Sequence, residues 1–292
     1  KDLITDLVKN SDVVIHLAGI TDVAYVKSEA AQNENEIKTV GEIGTKNIIN
    51  ALTPDAKLIF PSTHVVFEGF NEIKEELSED EEPNPVLTYS VNKRNSEIDI
   101  INSNKQFIIL RLGSVYGYST DTMRIGIMPN LFSKIASQNG TIKLFGGGVQ
   151  LKSLVNIKDV ARCFKFFEEN KFTNEIYHLR RENTNVKEVA ELCKKINPKV
   201  SLIKTDDEIP NMGYTISNEK LLATGFEFRY SLEESLSEMI SNWSVTHKNK
   251  NLEFILKGGN DYIDDRGRIT NYELTEPINL IGYIESKKGT VR

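Results

Sequence analysis

Short apolar runs alternate with amphipathic stretches along most of the chain, which predicts strands alternating with helices in a parallel α/β sheet. Residues 13–18 form an apolar run interrupted only by His16 and closed by Gly19, the pattern of a strand buried on both faces. Ile37, Val40, Ile48, Ile49 and Leu52 recur at helical spacing. Further strands are predicted at 57–61, 107–110, 154–157 and 176–179, and helices at 89–101, 129–137, 160–169, 186–196 and 231–243. The texture changes near residue 245. Residues 246–251 are a polar linker, and beyond them short apolar runs at 252–256 and 278–284 flank Asp264-Asp265-Arg266-Gly267, as in β-hairpins. The chain thus divides into residues 1–245, α/β, and residues 246–292, β-rich.

At 292 residues the chain is long enough to bury a full core, and its 39% hydrophobic and 27% charged residues are those of a globular protein. A net charge of −6 with no basic cluster argues against nucleic acid as a partner. No apolar run approaches the ~18 residues of a membrane span, and no leader pattern is visible, so no membrane partner and a cytoplasmic location are the default expectations. Cys163 and Cys193 fall in helical patterns and read as buried thiols. The acidic run from Glu75 to Glu82 reads as a solvated surface loop with no metal site, and Gly146-Gly147-Gly148 as a loop and not a phosphate cradle.

The chemistry concentrates in Tyr89-Ser90-Val91-Asn92-Lys93, with Pro61-Ser62-Thr63 upstream at the end of an apolar run. A tyrosine and a lysine four apart on a helix share one face. An ammonium beside a phenol favours the phenolate, and a nearby hydroxyl can bond the same substrate oxygen. Such a set moves a proton on and off an alcohol or carbonyl while a nicotinamide moves the hydride.

The surrounding motifs resemble the extended short-chain dehydrogenase/reductase family, the NAD-dependent epimerases and dehydratases, over residues 1–245. Val14-Ile15-His16-Leu17-Ala18-Gly19 resembles that family's H-L-A-A strand end, and Gly44-Thr45-Lys46-Asn47 its G-T-x-N helix. Ser62-Thr63-His64-Val65-Val66-Phe67-Glu68-Gly69 resembles S-S/T-x-x-V-Y-G, Arg111-Leu112-Gly113-Ser114-Val115-Tyr116-Gly117 resembles R-x-x-N-V-Y-G, and residues 152–161 resemble R-D-F-V-H-V-x-D-V-A. The resemblance implies a Rossmann-like doubly wound sheet with a small α/β substrate-binding lobe. It implies NAD or NADP as cofactor, a nucleotide-sugar substrate and a homodimer. It places Thr63, Tyr89 and Lys93 in catalysis, Leu17, Ala18, Gly19, Ser62, Tyr89, Lys93 and Leu112 at the cofactor, and His64, Ser114 and Lys152 at the substrate. His16 is expected to be structural. The family's glycine-rich turn for the cofactor pyrophosphate has no counterpart before residue 13. The chain is therefore expected to begin after the first strands of the fold, and the expected activity to belong to the parent protein.

Three departures bear on the substrate. Gly41 and Ser114 replace asparagines of the family, and Lys152 replaces an arginine, giving a point charge where a planar fork is usual. His64-Val65 stands where dehydratases of the family place Asp-Glu, so an epimerase is favoured over a dehydratase. A keto-sugar nucleotide reductase resembling dTDP-4-dehydrorhamnose reductase is the second reading, because residues 62–69 followed by Glu81-Glu82-Pro83-Asn84-Pro85 resemble S-T-D-Y-V-F-D-G…E-D-x-P-N-P. A non-catalytic cofactor-binding scaffold is the third. Residues 252–292 resemble the opening strands of a cupin such as the sugar 3,5-epimerase-like proteins, with an extension of the first domain as the alternative.

Overall fold

Four strands, Val13–Ile15, Lys57–Thr63, Gln106–Leu112 and Glu175–Leu179, lie side by side in that order and all run parallel. Side chains alternate across a strand, so each strand feeds two cores. On one face Ile59, Ile108 and Leu110 meet Val160, Cys163 and Phe167 of the helix Ile157–Glu169. On the other, Leu58, Phe60 and Ile109 meet Ile49, Leu52 and Ile100 from the helices Gly44–Ala51 and Thr88–Ile101. Both faces are covered, as the apolar runs required. In this computed structural model the described residues are 2–20, 34–70, 72–119, 124–207 and 212–248, with three further strands between 260 and 286.

The second lobe packs the helices Met128–Ser137, Val186–Ile196 and Leu232–Lys248 around Phe132, Leu154, Val189, Leu236 and Met239. Its sheet joins Ser114–Tyr116, Leu151–Asn156 and Glu182–Asn185. Register places Thr63 beside Leu112 and Leu112 beside Leu179, so three strand ends finish level at the carboxyl edge of the main sheet. Such edges hold the ligand crevice in open α/β sheets.

The acidic run is the exposed loop expected of it only over residues 78–82; its first part is a strand edge. Lys74–Leu77 is a strand paired in parallel with Tyr214–Ile216. Leu77 is buried, Glu76 pairs with Arg180 at 2.5 Å, and a Glu79 carboxylate oxygen accepts the N–H of His178 at 2.7 Å. A single apolar residue among charges shows no alternation, so only the tertiary partners reveal the strand. Cys163 and Cys193 are buried free thiols, as read. Gly146, Gly147 and Gly148 take φ of 53°, 76° and 78°, which is loop geometry. Strands Asn260–Asp264, Gly267–Glu273 and Leu280–Ser286 form an antiparallel three-stranded sheet, in keeping with the hairpin texture. The apolar run at 252–256 lies outside the described residues.

Candidate active site

Thr63 ends its strand and opens a short turn, His64–Phe67, by accepting the N–H of Val65 at 3.2 Å. Tyr89 lies in the first turn of the helix Thr88–Ile101 and shares a cavity wall with Thr63, whose side chain draws the pKa of its phenol down. Tyr89 stands between two hollows. A cavity of about 490 Å³ is lined by Ser62, Thr63, His64, Tyr89, Leu112, Ser114 and Lys152. A narrow crevice on the other side is lined by Ala18, Gly19, Phe60, Tyr89 and Lys93. The tertiary fold thus brings together residues from five separate stretches of sequence. Leu17 is 65% exposed beside the crevice without lining it.

Lys93 donates to the Pro61 carbonyl at 2.8 Å, and its ammonium sits 4.5 Å from the centre of the Phe60 ring. Burial lowers its pKa to about 8, against the opposing pull of Glu97. The phenol of Tyr89 is held above its ordinary pKa by burial, and the Thr63 side chain and the charge of Arg124 draw it back only in part. The expected depression of that phenol by Lys93 is not found: desolvation dominates, and the groups that pull the other way are Thr63 and Arg124. An ammonium has three N–H donors. One of those of Lys93 serves Pro61, and the crevice beside it is walled by the small residues Ala18 and Gly19, where a Cβ added to Gly19 would still be 3.9 Å from the ammonium. The remaining N–H donors of that ammonium suit the ribose hydroxyls of a nicotinamide cofactor.

Beneath the site lies a buried charge network. Glu97, fully buried, accepts the Ser62 hydroxyl at 2.5 Å, Arg111 at 3.1 and 2.9 Å, and Arg94 at 3.1 Å. Ser62 lines the larger cavity, yet its hydroxyl proton is committed to this carboxylate. Gly41, where the family has asparagine, is explained by contact: a Cβ there would lie 1.9 Å from the Asn92 amide oxygen. Ser114 stands 3.4 Å from His64 Nε2, and Lys152 makes no ion pair or hydrogen bond among the described residues. Burial lowers the pKa of Lys152. Sequence reasoning missed Arg124, Glu68 and Tyr214, all of which line the cavity. Arg124 precedes the helix Met128–Ser137, and Tyr214 donates to the His64 carbonyl at 2.9 Å. Neither belongs to a motif, so spacing carried no signal for them.

His16 is buried, and its Nε2 lies 3.0 Å from Thr45 Oγ1. Thr45 donates its own proton to the Gly41 carbonyl, which assigns the proton of the histidine to Nε2. This is a structural histidine, as expected. Burial above all lowers the pKa of His16 to about 4 and those of His64 and His178 to about 3. Below about pH 6.5 the unfolded chain protonates these three and the folded protein does not, so the unfolded state binds more protons and stability falls with pH. Each histidine costs about 1.4 kcal/mol per pH unit as pH drops from ~6.5 towards its folded value. Glu79 and Glu182, whose carboxyls burial raises, act in the opposite sense and offset part of the loss. The urea midpoint is therefore expected to fall clearly between pH 7.5 and pH 5; an unchanged midpoint would contradict the neutral burial of these imidazoles.

The parallel sheet with helices on both faces, and a tyrosine–lysine pair at the hollows by its carboxyl edge, define a Rossmann-like fold. The chain belongs to the NAD dependent epimerase/dehydratase family, which it matches over residues 1–179. Among solved structures it is similar to UDP-glucose 4-epimerase of Thermotoga maritima with UDP-glucose, with a TM-score of 0.70 and 20% identity, covering 84% of this chain and 82% of that one. It is also similar to UDP-glucuronic acid 4-epimerase of Bacillus cereus in complex with UDP-glucuronic acid and NAD, with a TM-score of 0.66 and 22% identity, over 82% and 78% of the two chains. At such identities the likeness is one of fold. Anthocyanidin reductase of Arabidopsis thaliana is 32% identical over 91 residues, 30% of this chain. The match spans about a quarter of that relative's length, 26%.

Proposed function

We propose that the protein is an NAD(P)-dependent sugar-nucleotide epimerase with Thr63, Tyr89 and Lys93 as its catalytic set. The observation that carries this reading is the place of Tyr89, which lines the larger cavity beside Thr63 and also lines the Lys93 crevice. A group that must trade a proton with a sugar while a hydride crosses beside it belongs between the two ligands. A nicotinamide held beside Lys93 would supply the acceptor and later the donor of that hydride. Tyr89 takes the hydroxyl proton and Thr63 steadies the same oxygen. Lys93 would hold the ribose through its N–H donors. Lys152 and Arg124 bring positive charge to the cavity for a diphosphate. The two sugar-nucleotide epimerases of like fold support this substrate class. Exposed Val40, Ile43, Val91, Ile98 and Ile101 on and beside the helices Gly44–Ala51 and Thr88–Ile101 support a homodimer through that face. A cytoplasmic location goes with this reading.

The reductase reading is favoured by the anthocyanidin reductase match and by the resemblance of residues 62–69 to the dehydrorhamnose reductases. One experiment separates the two. The full-length protein is purified without added cofactor and denatured, and the released nucleotide is identified; UDP-glucose and UDP-glucuronic acid are then followed by chromatography. Stoichiometric NAD with interconversion of a UDP-sugar is the expected result. An empty protein that consumes NADPH with a keto-sugar nucleotide would replace epimerase by reductase. An empty protein inert to both would overturn the enzymatic reading.

A further inference from the structure

The Tyr89 helix begins without a cap of its own. Leu87, its N-cap residue, supplies no side-chain hydrogen bond, although the first N–H groups of a helix need outside acceptors. Val86 and Leu87 are 66% and 41% exposed, so apolar burial does not anchor the approach to the helix either. The acceptor comes from elsewhere in the chain. One carboxylate oxygen of Glu68 accepts the N–H of Val86 at 3.1 Å, the N–H of Leu87 at 2.6 Å and the hydroxyl of Ser90. These three donors bracket Tyr89 in sequence.

Glu68 is also part of the turn that starts at Thr63. It closes the turn His64–Phe67, and its own N–H donates to the Val65 carbonyl at 3.0 Å. The next residue, Gly69, donates to the Asn84 carbonyl at 2.8 Å, an approach so close that a Cβ would lie 2.4 Å from that oxygen. One short segment therefore holds Thr63 at one end and the start of the Tyr89 helix at the other.

We infer that Glu68 is a positioning residue, whose carboxylate couples the Thr63 turn to the first turn of the Tyr89 helix and so sets the Thr63–Tyr89 geometry. The inference rests on the reading of Thr63 and Tyr89 as the proton-transfer pair. A carboxylate at a helix N-terminus satisfies unpaired N–H groups and meets the positive end of the dipole. Proton transfer is steep in distance, so a first turn free to fray displaces the phenol and lowers the rate without removing any reacting group. Glu68 also lines the cavity, and a direct hold on substrate is the rival role. The two differ in what they require. A tether requires an acceptor oxygen, which glutamine keeps; a charge acting on substrate is lost in the amide.

The test compares Glu68→Ala, Glu68→Gln and Ser90→Ala with the wild type in the full-length protein. Amide hydrogen exchange is read across residues 84–92 without substrate, and kcat and KM are measured separately with UDP-glucose. In Glu68→Ala the Val86 and Leu87 amides are expected to exchange about tenfold faster, the effect of losing a good N-cap. Turnover is expected to fall about tenfold or more, with KM changed by less than ~3-fold. Glu68→Gln restores both to within ~3-fold, and Ser90→Ala shows a smaller rise in exchange with a smaller fall in turnover. Unchanged exchange in Glu68→Ala overturns the inference whatever the turnover. A Gln variant with normal exchange and an alanine-like kcat overturns it in favour of the substrate role. If Glu68→Ala does not fold, Ser90→Ala and Glu68→Gln decide: wild-type exchange and kcat in Ser90→Ala would overturn the tether. Tyr89→Phe run beside them keeps the two claims apart, since retained turnover there sinks the catalytic assignment while the exchange data still report on the tether.

Discussion

Replacing Tyr89 with phenylalanine is expected to lower turnover roughly 10²–10⁴-fold, the contribution of a positioned acid–base group. The ring is kept, so packing between the two hollows is kept, and only the phenol oxygen is removed. Cofactor content is expected to match the wild type, because the ring at position 89 still lines the crevice and Lys93 is untouched. The measurement is kcat at saturating substrate together with bound nucleotide per chain. A variant within tenfold of wild type would assign the proton to another group. The nearest rival in the cavity is His64, but an imidazole held at about pKa 3 is a poor base near neutral pH.

The largest effect on stability is expected at Glu97. It is fully buried and accepts from Ser62, Arg94 and Arg111, and Arg111 itself is 1% exposed over the Phe67 ring. Alanine at position 97 would leave the Arg111 guanidinium buried without its counter-ion. Breaking such a pair from one side costs about 3–5 kcal/mol, a large share of a typical domain's 5–15 kcal/mol. Urea unfolding of Glu97→Ala should show that loss. Pairing Glu97→Leu with Arg111→Met is expected to recover most of it, since the unpaired charge and not the missing attraction carries the cost. A loss below ~1 kcal/mol in the single variant would mean that water reaches Arg111. Glu97 also raises the pKa of Lys93, one helical turn away, so the single variant should leave that lysine easier to deprotonate.

Much of this architecture is legible in the chain because burial on both faces of a parallel strand demands unbroken apolar runs. The strands at Lys57–Thr63 and Gln106–Leu112 follow that pattern closely, and the helix Val186–Ile196 follows the helical spacing of its apolar face. The run from Glu75 to Glu82 did not, because its strand owes its existence to Tyr214–Ile216, Arg180 and His178, all far away in sequence. The residues singled out by motif fared in a similar way. Thr63, Tyr89, His64, Ser114 and Lys152 line one cavity, and Ala18, Gly19 and Lys93 one crevice. Arg124 and Tyr214 reach the same place without any local signature, and Glu68 does so from within the motif of residues 62–69, which gave it no role.

By itself the sequence determined the alternation of elements, the carboxyl-edge location of the site and the tyrosine–lysine spacing. These depend on periodicity and on residues close together in the chain. Only the tertiary structure decided the protonation balance and the anchoring of the site. Burial holds the Tyr89 phenol up and the Lys93 ammonium down, Glu97 and Arg111 meet beneath Ser62, and Glu68 caps a helix that begins 20 positions later at Thr88. The physical reason is that desolvation and long-range hydrogen bonds depend on which surfaces close over one another, and one-dimensional spacing carries no record of that.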